Sequence, residues 1–266
     1  MASTLSAISE MVQEQVEFRE LLRAIVRRDL VLRYRNSILG FGWAIAMPVL
    51  YMAVFTVVFT RVAPLDTGVP YPVYVYAGLL PWNLFASAQR FSAISLTANP
   101  HLVTKVYFPR EILPFAAVIV AFFDFIVGFT VLLFLMAHYD ISIARTVAFL
   151  PIILLIQLAF TTGVALLVAM ANLFYSDVKH ILELGLTIWL FTTSVVYPVD
   201  RIGGTAGSIL ALNPMTPIIN AYRSVLLRGE LPPAGPLFGV AIVALATLSV
   251  GWYVFHRAEF RFAEGL

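Results

Sequence analysis

The 266-residue chain contains no cysteine and only four histidines, His101, His138, His180 and His256, which stand far apart in the sequence. The first absence excludes a disulfide framework, a thiolate metal site and a cysteine nucleophile, and the second speaks against a zinc or iron centre. Charge is also scarce. Only 12% of residues are Asp, Glu, Lys or Arg, against roughly 25% in a soluble globular protein. Lysine occurs only as Lys105 and Lys179. Neither follows Gly or precedes Ser or Thr, as the lysine of a phosphate-binding G-x-x-x-x-G-K-[ST] loop must, so any ATP hydrolysis is expected on another chain. A net charge of +2 offers no general attraction to nucleic acid.

What is present is apolar. Ala, Val, Ile, Leu, Met, Phe, Trp and Tyr make up 61% of the chain, and the mean hydropathy is +0.90. No polar shell covers that much apolar surface, so lipid is the solvent for most of the chain. At roughly 20 residues per helical span, six spans use about 120 residues and leave no stretch for a separate soluble domain. Apolar runs at 38–60, 73–88, 112–137, 146–171, 181–197 and 237–255 supply those six. The second is interrupted by Pro81, Asn83 and Ser87, and its Tyr71, Tyr74, Tyr76 and Trp82 suit a membrane–water boundary. Residues 205–227 are apolar but broken by Asn213-Pro214-Met215-Thr216-Pro217. Each half reaches only about 15 Å, half of a core of about 30 Å, so two short re-entrant helices fit better than a seventh span.

Residues 1–36 carry Arg19, Arg23, Arg27, Arg28, Arg33 and Arg35, with Phe18, Leu21, Leu22 and Ile25 at helical spacing. This pattern predicts an amphipathic helix on the membrane surface, the alternative being a solvated charged tail. Charges every few residues argue against a cleaved signal peptide. With six spans and the N-terminus inside, 12 of the 17 Lys and Arg fall in cytoplasmic segments, a bias that places both termini in the cytoplasm. The expected fold is thus an all-α integral membrane protein with six transmembrane helices, an N-terminal amphipathic interface helix and short re-entrant helices before the last span. It divides into a cytoplasmic segment at 1–37, a transmembrane domain at 38–256 with a cytoplasmic loop at 90–111 and the re-entrant segment at 205–227, and a cytoplasmic tail at 257–266.

Two cytoplasmic loops stand out. The stretch from Asn99 to Glu111 is too polar for lipid and too apolar for a spacer. Composition fits equally a helix docked in a soluble partner's groove and one resting on the headgroups. In the second loop, Asp177 suits a helix cap, with Glu183 in the following turns, a reading that needs no function.

The run Arg33-Tyr34-Arg35-Asn36-Ser37-Ile38-Leu39-Gly40, followed by Trp43 and Pro48, resembles the opening of permease subunits of polysaccharide ABC exporters, the type-2 permeases that move O-antigen, capsule or teichoic acid. Gly78-Leu79-Leu80-Pro81-Trp82, the Lys105-Val106-Tyr107-Phe108-Pro109-Arg110-Glu111-Ile112-Leu113-Pro114 loop and Asn213-Pro214-Met215 resemble the same family in the same order. One departure is Tyr175-Ser176-Asp177, where such permeases commonly read Tyr-Arg-Asp. The resemblance implies a homodimer with two separate ATP-binding subunits, a path for lipid-linked polysaccharide between the permeases, and a coupling helix in the first loop. The coupling residues are then Asn99, Pro100, Leu102, Lys105, Phe108, Pro109, Arg110, Glu111 and Asp177. It further implies that this chain is no enzyme and holds no cofactor, ATP and Mg acting on the partner, and that it lies in a bacterial cytoplasmic (inner) membrane.

Aromatics make up 14% of the chain. Phe55, Phe59, Tyr74, Trp82, Phe85, Phe122, Phe125, Trp189 and Tyr197 are candidates to line a path along which sugar faces slide, against the general tendency of membrane aromatics to face lipid or the interface. Asp124 is the one acid deep in an apolar run, and its depth makes Gln157 the expected partner. Two other functions stay open: a permease for a drug or small lipid, and a membrane-embedded transferase. The latter needs clustered acids or histidines, whereas Asp66, Asp140 and Asp200 stand alone in three separate loops.

Overall fold

The computed structural model describes residues 17–35, 40–198, 207, 210 and 212–264. It is all-helical, with 81% helix and no strand among the described residues. The helices are α1 (Arg19–Tyr34), α2 (Trp43–Val57, extended by a wide turn over Val58–Val62), α3 (Tyr71–Ser95), α4 (Pro100–Lys105), α5 (Ile112–His138), α6 (Leu150–Phe174), α7 (Val178–Phe191), α8 (Met215–Arg223, extended over Ser224–Arg228) and α9 (Ala234–Ala258, followed by a tight turn over Glu259–Glu264). Among the described residues, four helical stretches are long and apolar enough to cross a membrane: Trp43–Val62, Ile112–His138, Arg145–Phe174 and Ala234–Phe262.

The other two expected spans take different forms. α3 has the length, and Pro81 lies inside it without ending it. Buried positions fill 18 of its 25 residues, because α5 packs principally on α3 and α6 packs on it as well as on α9. A helix enclosed by protein needs no apolar surface for lipid, which is why its composition reads weakly. This placement also corrects the expectation for its rings. Tyr71, Tyr74, Tyr76 and Trp82 are buried inside the protein, so they present no surface to lipid or headgroups. The Tyr76 hydroxyl donates to Gly128 O at 3.1 Å and Tyr71 to Val196 O at 2.8 Å, satisfying the polar end of each ring. α7 has 14 residues, about 21 Å at about 1.5 Å per residue, which is short of a core of about 30 Å. In the re-entrant segment, most of 205–211 lies outside the described residues, and the second half is α8.

Helix ends follow local chemistry. Proline opens α4 at Pro100 and lies in the first turn of α3 and α6 at Pro72 and Pro151, where its missing N–H would be unpaired anyway. α5 stops because Asp140 takes φ 55°. The Ile141 N–H then bonds Met136 O at 2.9 Å and Asp140 N–H bonds Ala137 O at 3.4 Å, the double closure of a left-handed helix stop. Asp177 occupies the N-terminal flank of α7 but makes no side-chain cap bond. Asn172 does that work instead. Its Oδ1 accepts from Lys179 N–H at 3.0 Å, and its Nδ2 donates to Ala93 O at 2.7 Å.

The apolar interior forms two clusters. One joins α3, α5, α6 and α8 with Val195 and Val196, and the other gathers Ile25, Val26, Leu96, Val103, Phe108, Ile112, Leu173, Phe255 and Phe262. The second fastens the predicted amphipathic α1 through Ile25 and Val26, beside its other apolar residues Phe18, Leu21 and Leu22. At the α6–α9 crossing a Cβ built on Gly251 collides with Gly163 O, and one on Gly163 lands on the Thr247–Leu248 backbone. Only glycine permits this approach.

Candidate functional site

The loop after α3 is fixed at both ends. Asn99 accepts from Arg28 Nη1 at 2.9 Å and donates to Ser95 O at 2.8 Å, tying the start of α4 to α1 and α3. At the far end Arg110 Nε donates to Val103 O at 3.1 Å and Nη1 to Glu259 Oε1 at 3.1 Å. Glu111 Oε1 lies 2.9 Å from His256 Nδ1. Phe108 is 3% exposed and Glu111 1%, and Pro109 is buried beside them. The predicted coupling residues therefore divide. Pro100 and Lys105 present themselves outward and Leu102 partly so, whereas Phe108, Pro109 and Glu111 face inward and Asn99 and Arg110 act as ties. Sequence reasoning missed the most prominent side chain, Tyr107, which is 91% exposed between apolar neighbours. Asp177 lies in the other loop and is itself exposed, next to Tyr175 and Ser176.

The nine candidate rings fall into four groups. Trp82, Phe85 and Trp189 interlock, Phe85 and Trp189 edge to face at 5.0 Å, together with the unforeseen Phe160. Phe122 stacks on Phe125, which meets Tyr222 at 6.1 Å. Phe59 stacks on Tyr71 at 5.6 Å, and Tyr71 continues to Tyr74. Phe55 touches Phe191 at 6.5 Å, and Tyr197 donates its hydroxyl to Phe191 O. Tyr74, Trp82, Phe85 and Phe125 are buried within one chain, while the other five keep exposed surface.

Three polar features lie among these helices. Arg223, 2% exposed, reaches from α8 to Tyr74 O at 3.2 Å, Val195 O at 2.6 Å and Ser194 O, with its guanidinium 3.6 Å from the Tyr74 ring centre. Gly78 makes room for it, since a Cβ there would lie 2.5 Å from Arg223 Nη2. Gln157 is not the partner of Asp124. It donates to Pro81 O at 2.7 Å and accepts from the Tyr222 hydroxyl at 2.8 Å. Asp124 instead pairs with Arg33 of α1 at 2.5 Å. Matching depths do not fix which way a helix face turns: α5 packs mainly on α3, whereas α6 packs mainly on α9 and next on α3. The Arg33–Asp124 pair lines a cavity of about 560 Å³ with Trp43, Met47, Tyr51, Asn83 and the Arg90–Glu183 pair, whose charged atoms are 2.9 Å apart.

Several membrane-length helices and no strand among the described residues define a multi-pass membrane protein. Residues 20–227 match the family model described as ABC-2 type transporter, so the chain belongs to that family. It is 33% identical over 259 residues to the O-antigen export system permease protein RfbA of Myxococcus xanthus, covering 96% of this chain and 99% of the relative. It is 29% identical to the protein of that name from Klebsiella pneumoniae, covering 92% and 94%, and 22% identical to the polysialic acid transport protein KpsM of Escherichia coli, covering 90% and 93%.

Proposed function

We propose that this chain is the transmembrane permease subunit of an ATP-driven exporter that carries a lipid-linked polysaccharide across the bacterial cytoplasmic membrane. Carrying this reading is the near full-length similarity to permeases named for O-antigen export and polysialic acid transport. The same likeness favours polysaccharide over a drug or small lipid.

In this reading two copies form the path, and two separate ATP-binding subunits, which hold ATP and Mg, drive it. α2 has no buried residue and α7 only Leu186, so both offer apolar faces for a second copy or for lipid. α3, and α7 with the turn after it, complete six spans within the enclosing bundle, and both termini lie in the cytoplasm. The partner presses on the outward surface of α4 and Tyr107. Because Arg110 and Glu111 bind the end of α9 while Phe108 sits in the core, that push moves the loop, α5 and α9 together. The partly exposed rings Phe55, Phe59, Phe122, Trp189 and Tyr197 are the ones available to sugar, since stacking tolerates many similar units.

Deleting the gene should leave the lipid-linked polymer on the cytoplasmic face, and a plasmid copy should restore export. Normal export in the deletion strain would overturn the reading. Single cysteines at Ser176 and Ala263 should label only from the cytoplasm and one at Thr67 only from outside. External labelling at Ala263 would refute six spans.

A further inference from the structure

Among the described residues, one group of His, Asp and Glu side chains brings three ligand atoms within 4.8 Å of one another: Glu111, His256 and Glu259. The sequence gives no hint of it, since Glu111 stands 145 residues before His256. His256 Nδ1 lies 2.9 Å from Glu111 Oε1 and 3.7 Å from Glu259 Oε2. A tetrahedral zinc ion with bonds of about 2.0–2.1 Å sets its donors about 3.3 Å apart, and the two observed separations bracket that value.

Three further observations point to a cation. Glu111 is 1% exposed, and its Oε2 has no hydrogen-bond partner among the described residues, an arrangement that costs free energy unless something positive meets it. Glu259 is oriented as metal-binding carboxylates are, with one oxygen held from outside: Oε1 accepts from the Arg110 backbone N–H at 3.2 Å and from its guanidinium at 3.1 Å, leaving Oε2 toward His256. Among the described residues Arg110 is the one guanidinium that pairs with these carboxylates, at 3.1 Å from Glu259. We infer that Glu111, His256 and Glu259 form a divalent transition-metal site, of the class that zinc occupies, with the partly exposed side of His256 leaving a fourth position open to water. The ion clamps the end of the 99–111 loop to the end of α9. The inference needs neither a partner nor a transport role.

The full chain, purified in lipid nanodiscs and stripped with a chelator, is titrated with zinc chloride against a fluorescent zinc indicator, and bound metal is counted by mass spectrometry. One ion per chain is expected. His256→Ala and Glu259→Gln should each weaken binding more than about 100-fold, and Arg110→Met, which removes the guanidinium's bonds to Glu259 and to Val103 O, by about 10–100-fold. Zinc should raise the unfolding midpoint of the unaltered chain and not that of His256→Ala, while the metal-free midpoints show that each variant is folded. Absence of saturable zinc binding, or equal binding by folded His256→Ala, would overturn the site. So would a midpoint that ignores zinc and follows pH alone, which would mark a protonated His256 bridging the two carboxylates. Since no ATP-binding subunit or polymer takes part, failure here leaves the proposed transport function untouched.

Discussion

Tyr107 and Phe108 are chain neighbours at opposite extremes, 91% and 3% exposed, and substituting each by Ala separates docking from folding. Phe108 lies in the cluster that joins α1, α5, α6 and α9, so Phe108→Ala opens a cavity there and should cost about 3–5 kcal/mol of stability. Tyr107 has almost no surface to lose, and Tyr107→Ala should shift stability by less than about 0.5 kcal/mol. If the partner docks on this loop, Tyr107 is placed as an anchor, and anchors of this kind cost about 2 kcal/mol or more when truncated, a loss of about 30-fold in affinity. Unfolding of the purified chain in mixed micelles measures the first quantity, and titration with the ATP-binding subunit in nanodiscs measures the second. Comparable destabilisation by both variants would refute the division of the loop into an inward and an outward face. Full affinity in Tyr107→Ala would remove the anchor.

Arg223→Met should destabilise the fold by about 2 kcal/mol or more, because Ser194 O and Val195 O, which receive no backbone N–H among the described residues, are each stranded at about 1–3 kcal/mol; unchanged unfolding would contradict the cage. Gly251→Ala should cost about 1–3 kcal/mol by forcing α9 from α6, and a neutral result would mean that the two helices separate freely. A double-mutant cycle of Asp124→Asn and Arg33→Gln should show coupling of about 0.5–3 kcal/mol with transport retained, and a folded Asp124→Asn chain without transport would put that carboxylate on the substrate path. Arg90→Ala breaks a well-exposed pair and should change stability by no more than about 1 kcal/mol by the same unfolding assay.

The long apolar runs of α2, α5, α6 and α9 were legible because each must meet lipid along much of its surface, and composition records that need. α3 was harder to read for the opposite reason. Enclosed by neighbours, it tolerates Gln89 and Ser92 in its buried positions, and Gln89 donates to Thr161 O at 3.1 Å. Its tyrosines looked like boundary residues because side-chain type alone does not distinguish a polar tip in water from one bonded to a backbone carbonyl. Asp124 was correctly marked as needing a partner, yet depth along two helices cannot say which faces meet, and α1 supplied Arg33 instead. Nothing in the sequence marks Arg223, since the carbonyls that hold it come from α3 and from the turn after α7. Of the coupling loop, its position and polarity were readable. The alternation of outward Tyr107 with inward Phe108 was not, because it depends on α9 returning beside the loop more than 140 residues later.

Reconstitution into proteoliposomes addresses the transport role most directly. The chain is incorporated with its ATP-binding subunit, and a lipid-linked polysaccharide with a lectin-reactive end is followed across the bilayer. Passage is expected only with both chains and ATP, and only for the lipid-linked polymer. Passage without the ATP-binding subunit, or movement of small amphiphiles with none of the polymer, would contradict a polysaccharide permease.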